Sequence, residues 1–126
     1  MKIYIVGNPL VKDDTVPLKM LPRLRDVFPG VIFEEADPNE NFIPDTGSII
    51  VDTVEGITRP QWFDSIDSFI QTKSVSVHDY DLGFHLLLLR KLHKLTHVRI
   101  LGVPKGMVAD ACAVSVITLL HDVVVT

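Results

Sequence analysis

Three polar positions stand where apolar runs expire in this sequence: Asp13 or Asp14 after Ile3–Val6 and its Gly7-Asn8 stop, Asp52 after Ile49-Ile50-Val51, and His78 after Lys73–Val77. Two carboxylates and an imidazole supply hard oxygen donors and one nitrogen donor, a mixture compatible with nickel, iron or zinc when water fills the remaining positions. The same trio can also work without metal, one carboxylate as general base and the imidazole as donor or acceptor, with pKa values tuned by proximity. No local spacing joins these residues. Parallel strands would, because they bring their carboxyl ends to one edge of a sheet. A lone aspartate ending a strand is ordinarily a cap or turn residue, whereas three polar residues at the same expected edge can form a site.

The elements that must position them follow from periodicity and punctuation. Ile3–Val6 is a continuous apolar run of the kind buried on both faces of a parallel sheet, and Gly7-Asn8-Pro9 ends it. Asp13 and Asp14 can cap a helix from about Thr15 to Val27, with Leu18, Leu21 and Leu24 on one face. Pro17 is tolerable in its first turn, whereas Pro22 predicts a kink or a later start. Phe28-Pro29-Gly30 reads as a stop and turn, and Val31-Ile32-Phe33 as a second strand with Glu34 and Glu35 at its exit. After a proline-containing loop over 36–47, Ser48–Val54 is a third strand of buried type, with Ile49-Ile50-Val51 leading into Asp52.

Trp62–Ile70 fits either a short helix or an extended segment, and Lys73–Val77 alternates as a less covered strand. Leu82–Leu95 is the strongest helix, with Leu86–Leu89 consecutive and Asp81 near its start. His97–Val103 returns to strand pattern. Met107–Leu120 reads as a helix and Val123–Val125 as a short terminal strand. This alternation predicts a single α/β domain over 1–126, with three α/β/α layers around an open, mostly parallel twisted sheet. His97 and His121 then begin strands and belong at the edge opposite the candidate cleft. His85 and His93 are helix-surface or packing residues, and Trp62 and Phe63 either pack on the sheet, the commoner outcome for such residues, or form an exposed aromatic patch for a partner.

Composition narrows the functions further. The 126 residues are 47% hydrophobic and carry a net charge of −4, with pI near 5.6. Arg23/Arg25 and Arg90/Lys91 are too sparse for a phosphate track, so nucleic acid is not an expected partner. No apolar run reaches the ~18 residues of a membrane span, and no signal-peptide core precedes Asn8, so a cytoplasmic protein is expected. Cys112 is the single cysteine and suits core packing in a reducing compartment. The mean hydropathy of +0.30 is high for a small domain and implies either a sheet covered on both faces or a surface buried by a partner. Neither GxGxxG nor GxxxxGK[ST] occurs, and HExxH and GxSxG are missing as well. Ser48, Ser76 and Ser115 have no nucleophile signature around them and read as structural.

Four segments together resemble the hydrogenase maturation endopeptidase family: Gly7–Asp14 (GNPLVKDD), Ile49-Ile50-Val51-Asp52, Ser76-Val77-His78-Asp79 before the leucine-rich helix, and Ile100-Leu101-Gly102-Val103-Pro104. The resemblance implies a protease that removes a C-terminal peptide from the large-subunit precursor of a nickel-iron hydrogenase. Carried over by position, Asp14 and Asp52 are the acidic ligands and His78 the imidazole ligand. They would recognise nickel already inserted in the substrate, so that the metal arrives with the partner and is not held permanently. The chain departs from the family at Thr15-Val16-Pro17-Leu18, where a glycine-containing segment is usual, and in its valine-rich end. Two other functions are compatible with these residues: a non-catalytic metal-centre or peptide-binding module for a maturing partner, and a small-molecule hydrolase on a related scaffold.

Overall fold

The computed structural model describes residues 1–7, 15–37, 42–63, 65–72, 82–95 and 97–124. The strands among these residues are β1 (Lys2–Val6), β2 (Ile32–Ala36), β3 (Ser48–Val54), β4 (Gln61–Phe63) and β5 (Val98–Pro104). They lie in the order β2-β1-β3-β5-β4, with every neighbouring pair parallel except β4 with β5. Among the described residues four helices accompany them: α1 (Val16–Val27), α2 (Ile66–Thr72), α3 (Leu82–Lys91) and α4 (Ala109–Val124). The expected α/β class and mostly parallel sheet are present.

Side-chain alternation along the strands divides the core in two. Ile3, Ile5, Ile49, Val51, Leu101 and Val103 pack with α1 and α4, whereas Tyr4, Val6, Ile50, Val54, Val98 and Ile100 pack with α2 and α3. The chain steps from β1 outward to β2 in one direction, then through β3 to β5 in the other. Right-handed crossovers therefore put α1 on one face and α3 on the opposite face. This reversal opens a crevice between the carboxyl ends of β1 and β3, the position where doubly wound sheets bind ligands.

Several elements differ from the sequence expectation. Pro22 does not end α1: the helix runs through it, because Met20, Leu21 and Leu24 are buried on one face and Pro22 itself is exposed. Tertiary packing outweighs the lost N–H bond. The N-cap of α1 is Thr15, so neither Asp13 nor Asp14 holds that position, and both lie outside the described residues. Helix α3 stops at Lys91, short of Leu95, on a Schellman turn. His93 takes a positive φ of 58°, with Lys94 N–H bonded to Leu89 C=O and His93 N–H to Arg90 C=O. Val123 and Val124 continue α4 and form no terminal strand. Buried Val116 and Leu120 hold that valine-rich helix on the sheet despite its β-branched residues. The expected strand Lys73–Val77 lies outside the described residues. The unassigned stretch 62–70 contributes both β4, an antiparallel edge strand, and α2.

Candidate active site at the carboxyl edge

Asp52 is the buried carboxylate of this edge. It lies two residues before the end of β3, not at the terminus itself, and is only 2% exposed. Its even position in β3 puts it on the face of Ile50 and Val54, the face that α3 covers. A carboxylate withdrawn from water in a sheet of valines and isoleucines is costly unless paired, and Asp52 is not without an interaction partner. On one flank, β1 ends at Val6 and Gly7, which together with β3 bound the crevice at the reversal of strand order. On the other flank, Asp52 is in register with Gly102 of β5.

Gly102 is needed there by shape. A Cβ at this position would come within 2.5 Å of Phe63 Cε2 and 2.9 Å of Val54 Cγ2. The Phe63 ring, which also meets Phe69 edge-on at 5.5 Å, therefore fills the space beside the acid. Gly102 belongs to the Ile100–Pro104 segment that resembles the maturation endopeptidases. A glycine within an apolar strand pattern signals such a close approach, and that signal was available at Gly102.

Beyond Asp52, Lys105 and Glu55 link the ends of β5 and β3. Lys105 Nζ lies 2.9 Å from Glu55 Oε1, and its backbone N–H donates to Val54 C=O at 3.3 Å. This exposed pair forms a rim to the edge. The entry to α3, at Leu82, lies toward the same edge, because the helix must run back to the start of β5. Thr15, the N-cap of α1, is likewise at the carboxyl edge, since α1 returns to the start of β2. Asp14 precedes Thr15 directly and His78 precedes Leu82 by four residues, but Asp14 and His78 both lie outside the described residues.

The remaining candidates take the structural roles expected of them or lie elsewhere. His85 is buried in α3, where its Nε2–H donates to the Phe42 carbonyl and its ring stacks on Phe42 at 6.0 Å. Tyr4 meets the same phenylalanine edge-on at 4.9 Å and accepts a bond from Asp45 N–H at 3.1 Å. His97 precedes β5 at the amino edge, where its carbonyl accepts from Gly47 N–H at 2.8 Å. His121 does not begin a strand; it sits in the last turn of α4. Trp62 is half-buried and carries the Arg99 guanidinium 4.4 Å from its ring centroid. Cys112 is buried among α1 and α4 residues, on the face away from Asp52, and burial pushes its thiol up to about 11. It is no nucleophile at neutral pH.

No protein-family model matches the chain, and no curated protein matches it in sequence. Two solved structures share its fold. One is the crystal structure of an uncharacterized protein from Wolinella succinogenes, at 18% identity and TM-score 0.59, covering 97% of this chain and 94% of that one. The other is the crystal structure of the Hydrogenase 3 maturation protease, at 14% identity and TM-score 0.61, covering 94% of this chain and 87% of that one. At these identities the likeness is one of fold: a helix-flanked, mostly parallel five-stranded sheet.

Proposed function

We propose that this chain is a peptidase that removes a C-terminal peptide from a nickel-loaded hydrogenase large-subunit precursor, with Asp14, Asp52 and His78 as the residues that read the metal and serve the cut. The observation that carries the reading is the Asp52 carboxylate, buried at the carboxyl end of β3 beside the crevice where strand order reverses. It is supported by the fold shared with the Hydrogenase 3 maturation protease and by the four sequence segments that resemble that family.

The nickel belongs to the substrate. Two carboxylates and one imidazole leave coordination positions for the precursor's own groups, which gives an incomplete donor set a purpose. In the cut, a water oxygen bonds to the scissile carbonyl carbon, the C–N bond breaks, and the departing amine takes a proton. A carboxylate near the bond is suited to receive the water's proton. Serine or cysteine chemistry has less support: Cys112 faces the opposite core and Ser48 lies at the amino end of β3.

Incubating the full chain with precursor, with and without inserted nickel, tests this reading. Peptide release from the nickel-loaded form alone is the expected result. Stable binding without release would identify a non-catalytic module, and neither binding nor release would overturn the proposal.

A further inference from the structure

Helix α3 is apolar on two sides. Leu82, Leu86 and Leu89 are buried against the sheet, whereas Phe84, Leu88 and Leu92 are 63%, 42% and 54% exposed. Spacing by four residues sets the second group in a line along the helix and its terminal turn, over about 12 Å. A helix that is apolar nearly all round suits burial on both sides, and the sheet covers only one. The high mean hydropathy has two expected causes, a doubly covered sheet and a partner-buried surface. Both faces of the sheet are covered, and this line of large side chains still remains outside.

Charge indicates what covers it. Lys91 and Lys94 are exposed at the end of the line and make no ion pair among the described residues. Arg90 instead turns to α2, where its Nη2 meets Asp67 Oδ1 at 3.1 Å. In a chain of net charge −4, this is a local cationic rim beside an apolar stripe. An acidic partner is steered toward such a rim and away from the rest of the surface. A second copy carries the same net negative charge, which opposes self-association.

We infer that the Phe84, Leu88 and Leu92 line, with Lys91 and Lys94 beside it, docks a helical segment of the precursor that presents apolar residues flanked by carboxylates. The inference rests on the precursor-trimming reading and deepens it. A protease that cuts one bond in one protein gains selectivity from contacts remote from that bond. A helix laid against an apolar stripe is a recurring form of such contact.

The test is steady-state trimming of nickel-loaded precursor by the full chain and two double variants, Leu88→Glu with Leu92→Glu and Lys91→Glu with Lys94→Glu. Loss of the leucine contacts should raise KM by about tenfold or more. Reversal of the lysines should raise it by roughly threefold to tenfold and flatten its salt dependence. In both variants kcat should stay within about twofold of wild type, since the stripe contacts no reacting atom. Circular dichroism and thermal melting report folding, and Leu88→Gln with Leu92→Gln replaces the glutamates if that pair melts early.

Unchanged KM in folded variants, with wild type active, overturns the docking surface and leaves the trimming reading standing. Wild type that neither binds nor cuts precursor overturns both. A wild-type dimer in sedimentation, or retention on phosphatidylserine vesicles, overturns the inference if the leucine changes abolish it, because the occupant is then a second copy or a membrane.

Discussion

The two faces of the sheet are built from alternate residues of the same strands and are put to different uses. On the α1/α4 face, β1, β3 and β5 contribute Ile3, Ile5, Ile49, Val51, Leu101 and Val103, and the helices answer with Met20, Leu24, Val116 and Leu120. Thr53 is the one buried polar side chain that β3 turns to this face among the described residues. On the α3 face the apolar series is broken on β3 by Ser48 and Asp52, on β5 by Gly102, and in the covering helix by His85. One face is devoted to packing. The other carries a buried acid toward its carboxyl edge, and on the flank away from the crevice the Phe63 ring occupies the space that a side chain at residue 102 would need. Of these departures, Asp52 and Gly102 lie toward the carboxyl edge, where a site is expected.

The largest functional effect is expected at Asp52, on the α3 face. Asp52→Asn should lower precursor trimming by about 10²–10⁴-fold while leaving circular dichroism and melting close to wild type. Near-normal turnover would remove the functional meaning of the α3 face. On the opposite face, Leu24→Ala should cost about 2–5 kcal/mol in denaturant unfolding and leave kcat unchanged where the protein is folded. Together these two variants separate function from stability by face.

Gly102→Ala sharpens the contrast, because the added methyl is driven into Phe63 and Val54. It should cost about 1–3 kcal/mol, and a neutral result would mean that the Phe63 ring moves freely beside Asp52. The smallest effect concerns Cys112, whose thiol burial pushes up to about 11. Its contribution to stability is complete below the ordinary thiol range and is lost as pH rises through that range toward about 11. Denaturant titrations should show this decline in wild type, and Cys112→Ala should flatten it. Rapid labelling of native protein by a thiol reagent at pH 8 would contradict the burial.

Much of this architecture is legible in the residues. Ile3–Val6 and Ile49–Val51 are apolar runs suited to a doubly covered strand, and the leucines of α3 exceed what a loop can hold. Asp52 stands out for the same reason, as the acid that follows Ile49-Ile50-Val51. What is not legible is set by distant packing. Pro22 looks like a helix breaker until Met20 and Leu24 are seen buried on either side of it. Val123 and Val124 look like a strand until Val116 and Leu120 fix the helix that carries them. Gln61–Phe63 is too short to declare itself, and forms β4 because β5 offers an edge. The pairing of Gly102 with Asp52 depends on β3–β5 register, which neither segment specifies alone.

The central claim is that Asp52 shares one metal-sized site with Asp14 and His78 at the carboxyl edge. Anomalous diffraction from crystals of the full chain soaked in nickel tests it most directly. The expected result is one nickel peak beside Asp52, with a carboxylate oxygen of Asp52, one of Asp14 and a ring nitrogen of His78 each at about 2 Å. A peak elsewhere, or any of the three groups more than about 10 Å from the other two, well beyond the reach of a single bound ion, would contradict the account.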